Sequence, residues 1–130
     1  MVDSRADHMK IRTGVDILEI PRIQGALDRH GERFLERVFT PAEITQCKGR
    51  ADRLAVLFAA KEAISKALGT GIGPVSWCEM EILHLPSGEP TVVLHGRARQ
   101  LAERMGLTSW SVSLSHSRDN AVAVVVAAGE

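Results

Sequence analysis

Tyrosine is absent from this 130-residue chain, and its other aromatics are three phenylalanines and two tryptophans. So few flat side chains exclude a platform on which unpaired nucleobases stack in succession. Excess charge of either sign is also missing, since sixteen Lys and Arg balance sixteen Asp and Glu. Without a global basic field there is no reason to expect nucleic acid as a partner, and electrostatic recognition has to come from local patches. No apolar run approaches the roughly 20 residues of a membrane-spanning helix. The two cysteines, Cys47 and Cys78, form neither a metal-ligand spacing nor a redox pair. They read as free thiols, which fits a reducing, cytoplasmic setting. The opening residues MVDSRADH are polar and lack the apolar segment of a secretion signal. Residues 1–8 read as a disordered or tag-like extension, and residues 9–130 are expected to form one domain.

What is present is ordinary globular composition, 45% apolar and 25% charged. KIRTGVDILEI alternates, with Ile11, Thr13, Val15 and Ile17 on one side and Arg12, Gly14, Asp16 and Leu18 on the other, which predicts a strand ending near Asp16. Pro21 suits a first helical turn, and the apolar stripe of Ile20, Ile23 and Leu27 is interrupted at His30-Gly31 and resumes at Phe34, Leu35 and Val38. Thr40-Pro41-Ala42-Glu43 predicts a capping box opening another helix. A third helix runs to Leu68, with Asp52 as its expected cap and Gly69 as its stop. Strands are predicted around Cys78–Ile82 and Thr91–Leu94, then a short helix closed by Gly106. Ser111, Ser113 and Ser115 alternate with Trp110, Val112 and Leu114, and this strand and NAVAVVVAA should form an antiparallel hairpin. The order β-α-α-α-β-β-α-β-β is α+β.

Four places carry candidate chemistry. In LFAAKEAISKALGTGIG, Leu54, Leu57, Lys61, Ile64 and Leu68 share one helical face, and Glu62 with Lys66 is an i,i+4 pair. That pair reads either as a solvated ion pair or, because Glu62 lies in line with Phe58 among alanines, as a partly buried carboxylate in need of a partner such as a metal. The GTGIG run is no Walker loop, because it follows a helix and touches that helix's negative end. A phosphate there would need Lys61, Lys66, a metal or backbone N–H groups. Asp16 reads as a turn aspartate or as a second carboxylate of a Mg²⁺ site completed by waters and substrate phosphates. His116, with Ser115 and Ser117, reads as a solvated turn or as donors to an anionic ligand. Arg22, Arg29, Arg33 and Arg37 would form a stripe on a continuous helix, either salt-bridged to their neighbours or a docking face for an acidic helix.

TGVDILEIPRI, FTPAEI, FAAKEAISKALGTGIG and SVSLSHSRDNAVAVVV, in this order, resemble the holo-acyl-carrier-protein synthases, the short bacterial-type 4′-phosphopantetheinyl transferases. The resemblance runs from about residue 10 to the C-terminal end. It implies the 4′-phosphopantetheinyl transferase fold, a single small domain with an antiparallel sheet packed against helices. The implied reaction moves the 4′-phosphopantetheine group of coenzyme A onto a serine of apo acyl carrier protein, with release of adenosine 3′,5′-bisphosphate. Asp16 and Glu62 would hold Mg²⁺, and Lys61, Lys66, Gly69, His116 and Ser117 would contact coenzyme A. Asp16, Glu62 and Lys66 form the implied catalytic set, with Glu62, or a water it holds on the metal, as general base. Arg22 and Arg29 would receive the carrier, and a homotrimer would share the site between subunits. One departure stands out: many relatives have arginine where this chain has Leu57, and Arg53, one turn earlier, lies on the same surface. That vacancy motivates the rival reading, a coenzyme-A-binding or carrier-docking module without transfer activity. The carrier served, fatty-acid or polyketide, is left open.

Overall fold

A computed structural model describes residues 9–130, so the expected N-terminal extension lies outside the described residues. Strand β1 (Lys10–Glu19) leads into helices α1 (Ile20–His30), α2 (Glu32–Val38), α3 (Pro41–Cys47) and α4 (Ala51–Leu68). A 3₁₀ turn (Trp77–Glu79) precedes β2 (Met80–His84) and β3 (Pro90–Leu94), then α5 (Gly96–Arg104), β4 (Ser109–His116) and β5 (Asn120–Gly129). The strands form two antiparallel sheets, one in the order β1-β5-β4 and the other a β2-β3 pair. Both the mixed architecture and the final hairpin were legible in the sequence.

Three local expectations need correction. The interrupted helix over residues 20–38 is two helices, because Gly31 takes φ 52° and ψ −127° and turns the chain between them. The strand predicted from Cys78 begins at Met80, since Ser76 and Glu79 form a capping box that winds residues 77–79 into a 3₁₀ turn. Asp52 lies inside the first turn of α4 rather than capping it; Arg50 occupies the cap position and ion-pairs with Asp52 at 2.8 Å. The capping box at Thr40–Glu43 forms as predicted, and Gly69 ends α4 with φ 78°.

Helix α4 is the axis of the fold. Leu54, Leu57, Ile64 and Leu68 are buried along it, and so are Ala55, Ala59, Ala60, Ala63 and Ala67. The alanines bring the helix close to the sheet, whose inner face is equally small: Ala121, Ala123, Val125 and Ala127 of β5 are fully buried. The outer face of the same sheet is apolar but open. Ile11, Val15 and Ile17 of β1 and Val124 and Val126 of β5 are exposed there, with Ser111 and Ser113 of β4 beside the two valines in register. Among the described residues no helix is long and apolar enough to cross a membrane, and both cysteines are free.

Candidate active site

The site begins where β1 lies along α4. Alternation along β1 puts Gly14, Asp16 and Leu18 on the face toward the helix; Gly14 and Leu18 are buried, and Asp16 between them is part-buried where that face opens on the cleft. Glu62 projects from the middle of α4. The two carboxylates line one cleft of about 550 Å³, with Phe34 and Phe58 as apolar wall and Arg22 and Arg29 from α1. In the sequence Lys66 reads as the i,i+4 partner of Glu62 or as a phosphate contact. Its ammonium turns to β1, reaching the Asp16 carboxylate at 3.1 Å and the Val15 carbonyl at 2.8 Å, while staying half exposed.

Glu62 is held above the ordinary glutamate range, first by burial and then by the negative charge of Asp16, with Lys66 pulling the other way. Two carboxylates close enough to repel call for a cation between them. Among the described residues no third His, Cys, Asp or Glu joins them. A pair of carboxylates facing an open cleft fits Mg²⁺, which keeps several waters and shares the rest of its shell with substrate phosphates. A Zn²⁺-type cage of His and Cys is not what these residues make.

Lys61 is placed differently from the sequence reading. It is fully buried, ion-paired to buried Glu43 at 2.8 Å, and donates to the carbonyls of Trp77 at 3.0 Å and Met80 at 2.8 Å. All three N–H donors of its ammonium are used, so it is not free for a phosphate. Burial lowers the Lys61 pKa, and Glu43 opposes that shift. Glu43 also accepts from the Thr40 and Ile82 amides, which ties α3, α4 and β2 into one buried knot. Gly69 is a helix stop whose N–H is bonded to the Lys66 carbonyl, and the next two amides go to Ser65, so these three amides are already engaged within the chain.

His116 and Ser117 stand apart from the carboxylates within one chain. The His116 ring has Nδ1 3.3 Å from the Ser117 carbonyl and Nε2 3.9 Å from the carboxylate of Asp52, in the first turn of α4. Asp52 and Glu62 are separated by a rise of about 15 Å at 1.5 Å per residue. The Ser117 amide is bonded within the β4–β5 turn, leaving its hydroxyl as the available donor. The arginine stripe is divided at Gly31, with Arg22 and Arg29 at the main cleft and Arg33 and Arg37 beside His30 and Phe34 in a separate hollow. Leu57 is buried and, with Arg53 and Cys47, lines a second cleft of about 370 Å³. Burial pushes the Cys47 thiol up to about 11, so it is unreactive.

Sequence reasoning missed Gly14 and Glu43. The signals were a glycine inside a strand, which marks close backbone approach, and a capping glutamate whose helix partner carries a lysine on an apolar face.

Residues 12–125 match the sequence model of the 4′-phosphopantetheinyl transferase superfamily. The holo-[acyl-carrier-protein] synthase of Gloeobacter violaceus is 50% identical over 122 residues, covering 91% of this chain and 92% of that protein. The crystal structure of the Helicobacter pylori holo-[acyl-carrier-protein] synthase in complex with coenzyme A is similar with a TM-score of 0.82 and 38% identity, over 88% of this chain and 98% of that one. A holo-(acyl-carrier-protein) synthase from Bacillus anthracis in complex with CoA (3′,5′-ADP) matches at a TM-score of 0.77 and 35% identity, over 94% and 99%.

Proposed function

The chain belongs to the 4′-phosphopantetheinyl transferase superfamily, and on that premise we propose that it transfers the 4′-phosphopantetheine group of coenzyme A to a serine of apo acyl carrier protein, with Mg²⁺, releasing adenosine 3′,5′-bisphosphate. The observation that carries this reading is the pair of carboxylates, Asp16 and Glu62, converging on one cleft from a strand and a helix with Lys66 beside them. Asp16 and Glu62 would hold the cation, which would offset negative charge on the pyrophosphate. The carrier serine attacks the phosphorus that bears pantetheine, and the bond to the nucleotide phosphate breaks. Glu62, or a water it would hold on the metal, accepts the seryl proton as general base. Lys66 turns from Asp16 toward the phosphates and steadies the developing negative charge. Phe34 and Phe58 make the reacting end of the cleft apolar, which strengthens each of these interactions.

Coenzyme A, Mg²⁺ and an apo carrier incubated with the protein should yield a carrier heavier by one phosphopantetheine in the mass spectrum. Coenzyme A binding without any such gain would favour a docking module. Arg22 and Arg29 lie where an acidic carrier helix would approach the cleft. Arg22→Glu is therefore expected to raise the carrier KM tenfold or more, since a like charge replaces a complementary one, with the coenzyme A KM changed less than twofold. Equal effects on the two substrates would remove Arg22 from carrier docking.

The homotrimer belongs to the same proposal. An open apolar stripe on a three-stranded sheet is the kind of surface that another copy covers. The distance of His116 from the carboxylates within one chain suits a nucleotide held between subunits. Val124→Lys, on the central strand of that face, should shift the light-scattering mass from three chains to one and lose transfer with it. A variant that stays trimeric would place the contact elsewhere. A protein acting on coenzyme A and a soluble carrier would work in the cytoplasm.

A further inference from the structure

Gly14 does not need glycine for its backbone angles, since it is not among the residues with positive φ. It needs glycine for space. A Cβ built on it would lie inside contact distance of the Ala63 carbonyl oxygen, 2.8 Å from the carbon of that carbonyl and 3.1 Å from the amide nitrogen of Ala67. These are backbone atoms of α4 and cannot swing aside. On either side of this contact the strand and helix are clamped by polar bonds. Arg12 Nε donates to the Ala67 carbonyl at 2.9 Å, and Lys66 Nζ to the Val15 carbonyl at 2.8 Å. Ala63 follows Glu62 directly, and Gly14 precedes Asp16 by one strand repeat on the same face.

We propose that Gly14 is a positioning residue for the candidate metal site: by omitting a Cβ it lets β1 rest on the backbone of α4, and that separation sets the span between the Asp16 and Glu62 carboxylates. The proposal rests on the transferase reading, in which these two groups hold the cation. Gly14→Ala makes β1 retreat from α4 and draws Asp16 away from Glu62. A small cation cannot follow, because Mg²⁺ tolerates little departure from its short metal–oxygen distance.

The internal control is Gly129, at the far end of the same sheet, where a Cβ would lie 2.7 Å from the Gly106 carbonyl carbon. Gly129→Ala imposes the same kind of clash and a comparable loss of stability, away from the cleft. The measurement is binding of Mn²⁺, a spectroscopic stand-in for Mg²⁺, to the folded protein with coenzyme A, read from free Mn²⁺ by electron paramagnetic resonance. Gly14→Ala is expected to weaken Mn²⁺ binding at least about tenfold, the scale of losing a group that orients a ligand, and Gly129→Ala less than twofold. Gly14→Ala/Asp16→Glu, whose side chain is one methylene longer, should regain much of the loss. Asp16→Glu alone, which leaves the seam intact and overshoots, should weaken binding about tenfold. If Gly14→Ala does not fold, Arg12→Ala, which removes the clamp to the Ala67 carbonyl in the same seam, is measured in its place and is expected to weaken Mn²⁺ binding several-fold, unchanged binding counting against the assignment. Wild-type affinity in Gly14→Ala, an equal loss in Gly129→Ala, or undiminished binding in Asp16→Glu would overturn the assignment. If wild type with coenzyme A binds no Mn²⁺, the transferase reading itself fails first.

Discussion

Glu62→Gln is expected to lower the turnover number by roughly 10²–10⁴-fold, the usual contribution of a positioned general base, and to weaken metal binding as well. Glutamine keeps the shape and the hydrogen-bonding oxygen but can neither take the seryl proton nor carry charge to a cation. The fold should not suffer. Because burial and Asp16 raise the Glu62 pKa in the folded chain, its contribution to stability is fully present below the unfolded pKa and is lost as pH rises through the folded value. At neutral pH the ionised carboxylate is therefore a cost, and the glutamine variant should be as stable as wild type or slightly more so. Turnover should also have an acidic limb. In acid Glu62 takes up a proton and can neither accept the seryl proton nor hold the cation, whose positive charge favours the ionised carboxylate and opposes the shift of the metal-free chain; Glu62→Gln should flatten that limb. The checks are mass spectrometry of the carrier across pH and thermal unfolding of both proteins. Near-normal turnover in the variant would remove Glu62 from the mechanism.

The second large effect concerns stability. Glu43→Leu is expected to cost about 3–5 kcal/mol, the scale of breaking a buried ion pair from one side. The substitution leaves the fully buried Lys61 ammonium without its counter-charge, and the Thr40 and Ile82 amides without their acceptor. A loss of that size is a large share of the roughly 5–15 kcal/mol that holds a domain together. Adding Lys61→Met should return a good part of it, because two apolar side chains replace two desolvated charges. Denaturant titrations of wild type, single and double variants give the coupling directly. A single variant within about 1 kcal/mol of wild type would show that the knot contributes little.

Lys61 also marks where sequence reading reaches and where it stops. Its place on the face of Leu54, Leu57, Ile64 and Leu68 was visible from spacing, and that face is the core. What spacing did not reveal was Glu43, because pairing across 18 positions depends on how α3 and α4 pack. Lys61 was therefore grouped with the phosphate contacts by its charge, when its surroundings place it in the structural knot. Asp16 and Glu62 show the reverse. Each had an ordinary reading as a turn residue or helix ion pair, and only the join of β1 to α4 puts both on one cleft. The motifs that repeat local geometry, namely the Thr40–Glu43 capping box, the Gly69 stop and the β4–β5 hairpin, were legible because their partners lie within a few residues. The Gly31 break was visible as an interruption but not as a change of direction, since a glycine's angles are not written in its neighbours.

The pairing of β1 with β5 has a consequence for how the molecule is made. Lys10 faces Gly129 and Glu19 faces Asn120, so among the described residues the first strand finds its only strand partner in the last one. On a ribosome, α1 to α4 and the β2-β3 pair emerge with Glu62 in place while β1 still has an unpaired edge. Contacts this far apart in sequence close late and slowly. The carboxylate of Asp16 reaches its final position only after β5 has left the exit tunnel, so the cleft that acts on coenzyme A assembles later than the helices and strands between β1 and β5.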